Sequence, residues 1–334
     1  MKIAVYLPAT LGGSFLSLPT VRTLQQNFPT AEISLLGSSR FAAFLQNILP
    51  GFEVISLPDL KDIASLKRTS SRLKKMNFDL GLLLDESFAS ALLFYLARIP
   101  QRWGYDREGR GFMLTRKLRL KATDPRRHIK DHYLHLLQKL GLQVDEQPFF
   151  LKLPERYIEL GVENLKQAGL DPTRPAITLK PGSSFGAARV WPVTRQEELI
   201  KKLLEKDLQV ALIGSPASQS LSRILKASAD GRVADLAGSL SLEETAGVIA
   251  SSKVYVGNDS GLTHLANFLG TPVVGLYGPT DPHLSGPSQA PSVALKKIVP
   301  CSPCSYRACP YDHRCLNSIE VEEVLDVILT FLPS

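Results

Sequence analysis

The sequence predicts an α/β chain built from two parallel, doubly wound sheets. Short apolar runs alternate with amphipathic helical patterns from end to end, the signature of strand–helix–strand units. The rhythm pauses at "GLDPTRPA" (169–176), where Gly169, Pro172 and Pro175 mark a linker. A length of 334 residues also exceeds what one core usually serves.

In the first half, strands are predicted at Lys2–Leu7, Glu32–Leu36, Glu53–Ser56, Asp79–Leu84 and Arg102–Tyr105, with helices near 17–27, 39–47, 62–76 and 86–97 between them. The opening run is apolar from Ile3 to Leu7 and ends at Pro8. Gly12-Gly13 then opens a turn before a helix whose Phe15, Leu18, Val21 and Leu24 recur at helical spacing. Longer helices follow at about 126–140 and 155–168. After the linker the order restarts, with strands at Ala176–Leu179, Val210–Ile213, Val254–Val256 and Val273–Leu276 and helices near 194–206, 217–228, 242–250 and 260–269. A last helix, about 320–331, is expected to pack back on the first domain. The predicted domains are therefore 1–168 and 176–316, joined by a linker at 169–175 and followed by the helical segment 317–334.

Formal net charge is +7, and its placement is informative. Residues 1–154 carry 22 Lys and Arg against 13 Asp and Glu, whereas residues 155–334 carry 17 against 19. The segment 98–130 alone holds eleven cations, Arg107, Arg110 and Arg119 among them, against three acids. Such a run is either a surface for an anionic partner, a phosphorylated glycolipid or a membrane, or a solvated face. Nucleic acid is disfavoured, because no recognised binding signature accompanies the charge. No apolar run approaches the roughly 18 residues of a membrane span, and no signal-peptide layout opens the chain, so a cytoplasmic protein is expected.

Three loops carry chemistry. In "VYVGNDSGLTHLANFLGTPVVGLYGPTDP" (254–282) an apolar strand runs into Gly257-Asn258-Asp259-Ser260-Gly261 and a helix. Free N–H groups at that helix start, with the Ser260 hydroxyl, suit a diphosphate, while Asp259 and His264 suit sugar hydroxyls. The alternative is a helix capped by Asp or Ser. In "LKPGSSFGAARVWP" (179–192) the small residues Gly182, Ser183 and Ser184 admit a phosphate and Arg189 neutralises charge. Neither half shows a nicotinamide fingerprint, which argues against a dehydrogenase. All four cysteines, Cys301, Cys304, Cys309 and Cys315, fall in "CSPCSYRACPYDHRC" (301–315). Their spacing allows a structural zinc or iron site, or a set of reduced thiols in a tight loop.

Together these motifs resemble the lipopolysaccharide heptosyltransferases of glycosyltransferase family 9, most of all the branch acting second in core assembly. The resemblance runs nearly end to end, through Leu18-Pro19, "GYDREGRG" (104–111), "RHIKDHYLHLLQKLG" (127–141) and the three loops above. It implies a GT-B fold, two Rossmann-like domains facing across a cleft, and inverting transfer by direct displacement without a catalytic cofactor. The implied donor is ADP-heptose, held by Ser183, Ser184, Arg189, Asp259, Ser260, Gly261, Leu262 and His264 of the second domain. The implied acceptor is the phosphorylated lipopolysaccharide core, met by Arg107, Arg110 and Arg119 of the first, with peripheral contact at the inner face of the inner membrane. Another nucleotide sugar, or a non-catalytic nucleotide- or glycolipid-binding role, is the alternative.

One departure matters most. Family members carry an Asp, held to be the catalytic base, where this chain has Gly13. Gly13 marks an engineered inactive variant, an enzyme using another base, or a binding protein without turnover. Asp85 and Glu86, at a strand end in "LLLDESFASALL", are the substitutes, unless they only cap the next helix. Ser218 and Gln219 stand where an acidic residue often contacts the donor, and Arg189 where many relatives have Lys.

Overall fold

Parallel strands need long crossovers, so the alternation in the sequence becomes a series of strand–helix units. In the computed structural model these form two bodies, residues 1–149 and 150–334. The structure describes residues 1–60, 62–121, 123–229 and 231–332. Among them, no helix is long and apolar enough to cross a membrane.

The first unit runs β1 (Lys2–Tyr6), α1 (Leu11–Asn27), β2 (Glu32–Ser38), α2 (Ala42–Ile48), β3 (Glu53–Leu57), α3 (Ile63–Lys75), β4 (Leu80–Leu83), α4 (Phe88–Leu96), β5 (Gln101–Tyr105), β6 (Arg116–Leu118) and α5 (Ile129–Lys139). Its sheet is parallel, in the order β3-β2-β1-β4-β5-β6. The order reverses between β1 and β4, where Tyr6 pairs with Leu83. Outside the carboxyl ends of such a strand pair lies the crevice in which open α/β sheets bind ligands.

The second unit runs α6 (Glu155–Gln167), β7 (Ala176–Leu179), α7 (Val193–Glu205), β8 (Gln209–Leu212), α8 (Gln219–Ala227), β9 (Val233–Asp235), α9 (Leu242–Ser251), β10 (Val254–Asn258), α10 (Gly261–Leu269), β11 (Val273–Tyr277), α11 (Pro282–Ser285), β12 (Ser292–Lys296), α12 (Arg314–Asn317) and α13 (Val321–Thr330). Its sheet, β12-β11-β10-β7-β8-β9, is parallel throughout and reverses between β7 and β10, where Leu179 pairs with Val256.

The strands absent from the sequence expectation, β6, β9 and β12, all lie at sheet edges. An edge strand pairs on one side only, so it needs no continuous apolar run, and "RKL" shows none. Helix α1 also begins earlier than its apolar pattern suggests. Thr10 caps it by accepting the Gly13 N–H at 3.1 Å, which puts Gly12 and Gly13 inside the first turn.

The domain boundary differs as well, falling after 149 rather than 168. Helix α6 belongs to the second unit because it lies against α9 with two glycines at the crossing. A Cβ on Gly161 would stand 2.1 Å from the Gly247 carbonyl carbon, and one on Gly247 would stand 1.8 Å from the Tyr157 oxygen. The C-terminal helix is likewise part of the second unit. Val321, Val324, Leu325 and Ile328 of α13 enter the core with Leu199 and Leu203 of α7, and Arg195–Glu320 and Lys202–Glu322 pairs flank them. Residues 333 and 334 of the expected terminal segment lie outside the described residues.

Since backbone meets backbone at the α6–α9 crossing, Gly247→Val should force the helices apart and destabilise the second unit by about 1–3 kcal/mol. Urea unfolding followed by far-ultraviolet circular dichroism measures it. An unchanged midpoint would mean that α6 is not part of that cooperative unit.

Candidate functional site

At the β7/β10 switch point, two strand-end loops are cross-linked by buried side chains. Asn258, the last residue of β10, donates from Nδ2 to the Gly182 carbonyl (3.1 Å) and to the Arg189 carbonyl (3.0 Å) of the loop after β7. Lys180, 7 % exposed, donates from Nζ to Asn258 Oδ1 at 3.2 Å and to the Gly182 carbonyl. Arg189 reaches the other way. Its Nη1 donates to the Asp259 carbonyl at 2.9 Å and lies 3.2 Å from Asp259 Oδ2, its guanidinium covers the Phe185 ring at 3.8 Å, and its Nε has no partner.

Helix α10 starts beside this clasp. Ser260 is its N-cap, accepting from the Thr263 N–H at 3.4 Å, and Gly261 and Leu262 form the first turn, half-buried. The sequence expectation of a capped helix and of an anion-facing helix start therefore describe the same residues. Ser183 is half-buried and accepts from the Phe185 N–H at 3.2 Å, Ser184 is exposed, and His264 is buried in the first turn of α10.

The electrostatics are lopsided. Burial pushes Lys180 down from 10.5 to about 8, helped by the nearby Arg189 charge and opposed by Asp259. Burial also raises the Asp259 carboxyl, against the pull of Arg189, Ser285 and Lys180. Two cations thus converge on one carboxylate, next to the N–H groups of a helix start, and the excess is positive.

Neither Lys180 nor Asn258 has a role in the sequence reading. A Lys directly after a buried apolar strand was the available signal, because a charge there must be held by something. Ser218 is fully buried, 2.6 Å from the position of a Cβ on Gly182 and 2.7 Å from one on Gly214, with its hydroxyl unpaired.

The first unit's switch point gathers Gly13, Asp85 and Glu86. Asp85 follows β4, and its backbone N–H reaches the Tyr6 carbonyl at 3.3 Å. Its carboxylate accepts from the Ser87 N–H at 2.9 Å and from the Ser87 hydroxyl. Glu86 accepts from His132 Nε2 and lies 3.5 Å from Arg107 Nε, while Tyr105 stacks on the His132 ring at 4.1 Å. Burial raises the Glu86 carboxyl, but the His132 hydrogen bond and the His132, Arg107 and Arg110 charges outweigh it and hold the group below its ordinary value.

The three arginines expected to meet an acceptor divide. Arg107 and Arg119 are exposed, Arg119 paired with Asp106 at 2.8 Å. Arg110 is not on the surface at all. It is fully buried, donating from Nε to the Tyr105 carbonyl (2.9 Å) and from Nη1 to the carbonyls of Asp85 (2.6 Å) and Ser87 (3.0 Å), so it ties the β4 and β5 loop ends together.

The cysteines line one small void of about 10 Å³ with Pro279 and Tyr311, and Cys315 is buried. Among the described residues no group of three or more Cys, His, Asp or Glu is arranged to hold an ion. Burial, then the neighbouring cysteines, push the Cys315 thiol up.

Two parallel, doubly wound units of this order are the architecture of a glycosyltransferase, the class to which the chain belongs. A model of glycosyltransferase family 9 (heptosyltransferase) matches residues 66–314, and the chain belongs to that family. It is 31% identical over 298 residues to lipopolysaccharide heptosyltransferase 2 of Salmonella typhimurium, covering 86% of this chain and 85% of that one. The Escherichia coli protein of the same name is 30% identical over the same shares. The solved E. coli ADP-heptose lipopolysaccharide heptosyltransferase II superposes with a TM-score of 0.85 at 27% identity, over 99% of this chain and 98% of that one, and the fold is GT-B.

The titration of Lys180 gives a pH signature. Pyrophosphate has protonation steps of its own in this range, so the signature is the ratio of wild-type to Lys180→Met affinity, in which they cancel. That ratio should hold while Lys180 is protonated, below about pH 8, and fall as pH rises through that value, since the neutral amine attracts no anion. Calorimetry across that range reads it, and a ratio that does not change with pH would remove Lys180 from the site's electrostatics.

Proposed function

We propose that this glycosyltransferase moves heptose from ADP-L-glycero-D-manno-heptose to the phosphorylated inner core of lipopolysaccharide, with inversion, at the inner face of the inner membrane. The observation that carries the reading is the charge excess at the β7/β10 switch point, where Lys180 and Arg189 face Asp259 alone beside the α10 N-terminus. A diphosphate balances that excess. The names of relatives at 30% and 31% identity support the sugar and the acceptor.

In the reaction the acceptor O–H attacks the anomeric carbon as the bond to the diphosphate oxygen breaks. ADP leaves with the electron pair, and its growing charge is met by groups fixed before the reaction begins: the Arg189 guanidinium, the α10 N–H groups and Lys180. Asp259 holds Arg189 in place and is the group for sugar hydroxyls, together with His264. The first unit supplies exposed cations, Arg107 and Arg119, for acceptor phosphates. Arg189→Ala should weaken ADP binding by about 1.5–3 kcal/mol, the range for a charge-assisted hydrogen bond. Unchanged affinity by calorimetry would exclude Arg189 from the donor site.

The acceptor proton must leave as the new bond forms, and with no base at Gly13 it passes to solvent water. Turnover is therefore slow in this reading, by about 10²–10⁴-fold for a lost general base. Gly13→Asp should recover most of that in kcat with little change in ADP affinity. It carries a steric cost that the sequence did not reveal: a Cβ at 13 stands 2.8 Å from both Pro8 Cβ and Thr10 Oγ1, so the loop must shift and Tm should drop by a few degrees. The assay is turnover of ADP-heptose on a deacylated core acceptor. Gly13 equally favours a second reading, a binding protein without turnover. A folded, ligand-binding Gly13→Asp variant that forms no product would support that second reading and sink the first.

A further inference from the structure

Helix α4, "FASALLFYL", carries no charge, although only one of its faces is needed by the core. Ser90, Ala91, Leu93 and Phe94 are buried toward the sheet. Phe88, Tyr95 and Leu96, the last two seven and eight residues after the first, form a second apolar stripe on the outside, and Leu92 between them is partly buried against the core. Phe88 is 40% exposed, Tyr95 49% and Leu96 40%. The turn at Arg110–Met113 extends the stripe, because Phe112 is 72% exposed and its ring lies 6.4 Å from that of Phe88. An apolar helix face of this kind is ordinarily covered.

Its neighbour shows what covers it. Helix α3 packs beside α4 over the same face of the sheet, Leu73 sharing a core with Ala91, Leu93 and Phe94. The outer side of α3 presents Lys67, Arg68, Arg72, Lys74 and Lys75, all exposed, and among the described residues none of the five forms an ion pair. The helix has no acid of its own, and Asp62 serves as its N-cap. Arg98 is exposed just past α4, and Arg102 lies over the Tyr95 ring at 5.5 Å.

We infer that the α3–α4 face docks on an anionic lipid bilayer, with α4 and Phe112 entering the interface and α3 lying along the headgroups. Aromatic and aliphatic side chains on a convex face suit the headgroup–acyl boundary, and each cation near an anionic leaflet adds to the attraction. A second copy of the chain fits poorly, since a twofold contact through this face would set one cationic α3 against another. The stripe also has a direction. It starts at Phe88, two residues after Glu86 at the first unit's crevice, so a glycolipid head held near the crevice and its acyl chains in the bilayer lie at one end of one face. This deepens the reading of an enzyme working at a membrane, and it stands or falls separately from the donor chemistry.

The test is co-sedimentation of the full chain with vesicles of equal parts phosphatidylglycerol and phosphatidylcholine, against phosphatidylcholine alone. Binding is expected to the anionic vesicles, weakening as salt rises. Lys67→Glu, Arg72→Glu and Lys75→Glu combined should lower it by about 10²-fold, and Tyr95→Ser with Phe112→Ser by about tenfold, with Tm and ADP affinity unchanged in both. Failure of the wild type to bind anionic vesicles, or equal binding by the charge-reversed variant, overturns the inference. So does a dimer in light scattering that Phe112→Ser disperses, because the face would then belong to a second copy. Turnover on the deacylated, water-soluble acceptor reports the donor chemistry without a membrane, so its failure strikes the proposed reaction and leaves the vesicle result standing.

Discussion

The second unit depends on one clasp. Asn258 binds the carbonyls at both ends of the loop after β7, and Lys180 and Arg189 return the connection to Asn258 and Asp259. Each member satisfies a polar group that the switch point would otherwise leave unpaired between two strand ends. The cost is a buried ammonium without a carboxylate of its own, which is why its proton is loosely held. A protein built only for stability would place an apolar side chain there. In the reading proposed above, a diphosphate completes the charge balance that Lys180 leaves open.

The cysteine-rich segment braces this clasp from behind. The Ala188 N–H donates to the Arg307 carbonyl at 3.0 Å, and the Cys304 and Ser305 N–H groups donate to the Pro279 carbonyl at 3.0 and 2.8 Å. Gly186, at φ +152, exists because a Cβ there would sit 2.2 Å from the Arg307 oxygen. Two strand-end loops, after β7 and after β11, are therefore positioned by the same segment. The brace is made by backbone groups, so it depends on the turns of this segment rather than on its side chains.

The legible parts of the sequence were those governed by repetition. Nine of the twelve strands among the described residues follow from apolar runs, and eight of the nine are interior, where a parallel strand is buried on both faces; β3 alone of them is at an edge. The donor-side loops were legible too, since small residues followed by a helix start have a chemical meaning before any coordinates exist. What was hidden is whatever depends on distant partners. Arg110 read as one of eleven surface cations and is instead fully buried, because three backbone carbonyls brought together by the fold outbid water. Helix α6 read as the end of the first domain, because the Gly161–Gly247 contact that binds it to α9 spans 86 residues of sequence.

The two switch points then differ in a way that bears on catalysis. In the second unit the polar groups leave positive charge unspent, while in the first unit both carboxylates hold partners of their own. Asp85 is taken up by the Ser87 turn, and Glu86 by His132 and Arg107, which lowers its proton affinity and so its strength as a base. The space beside Gly13 is not an empty socket either, because Pro8 and the capping Thr10 lie within 2.8 Å of where a Cβ would stand. The loop has settled around glycine, so the missing carboxylate is a property of the whole first turn of α1 and not of one side chain. In the reaction proposed above, the second unit keeps groups suited to an anion while the first turn of α1 has closed around glycine, so that proposal places the limit on rate in the first unit.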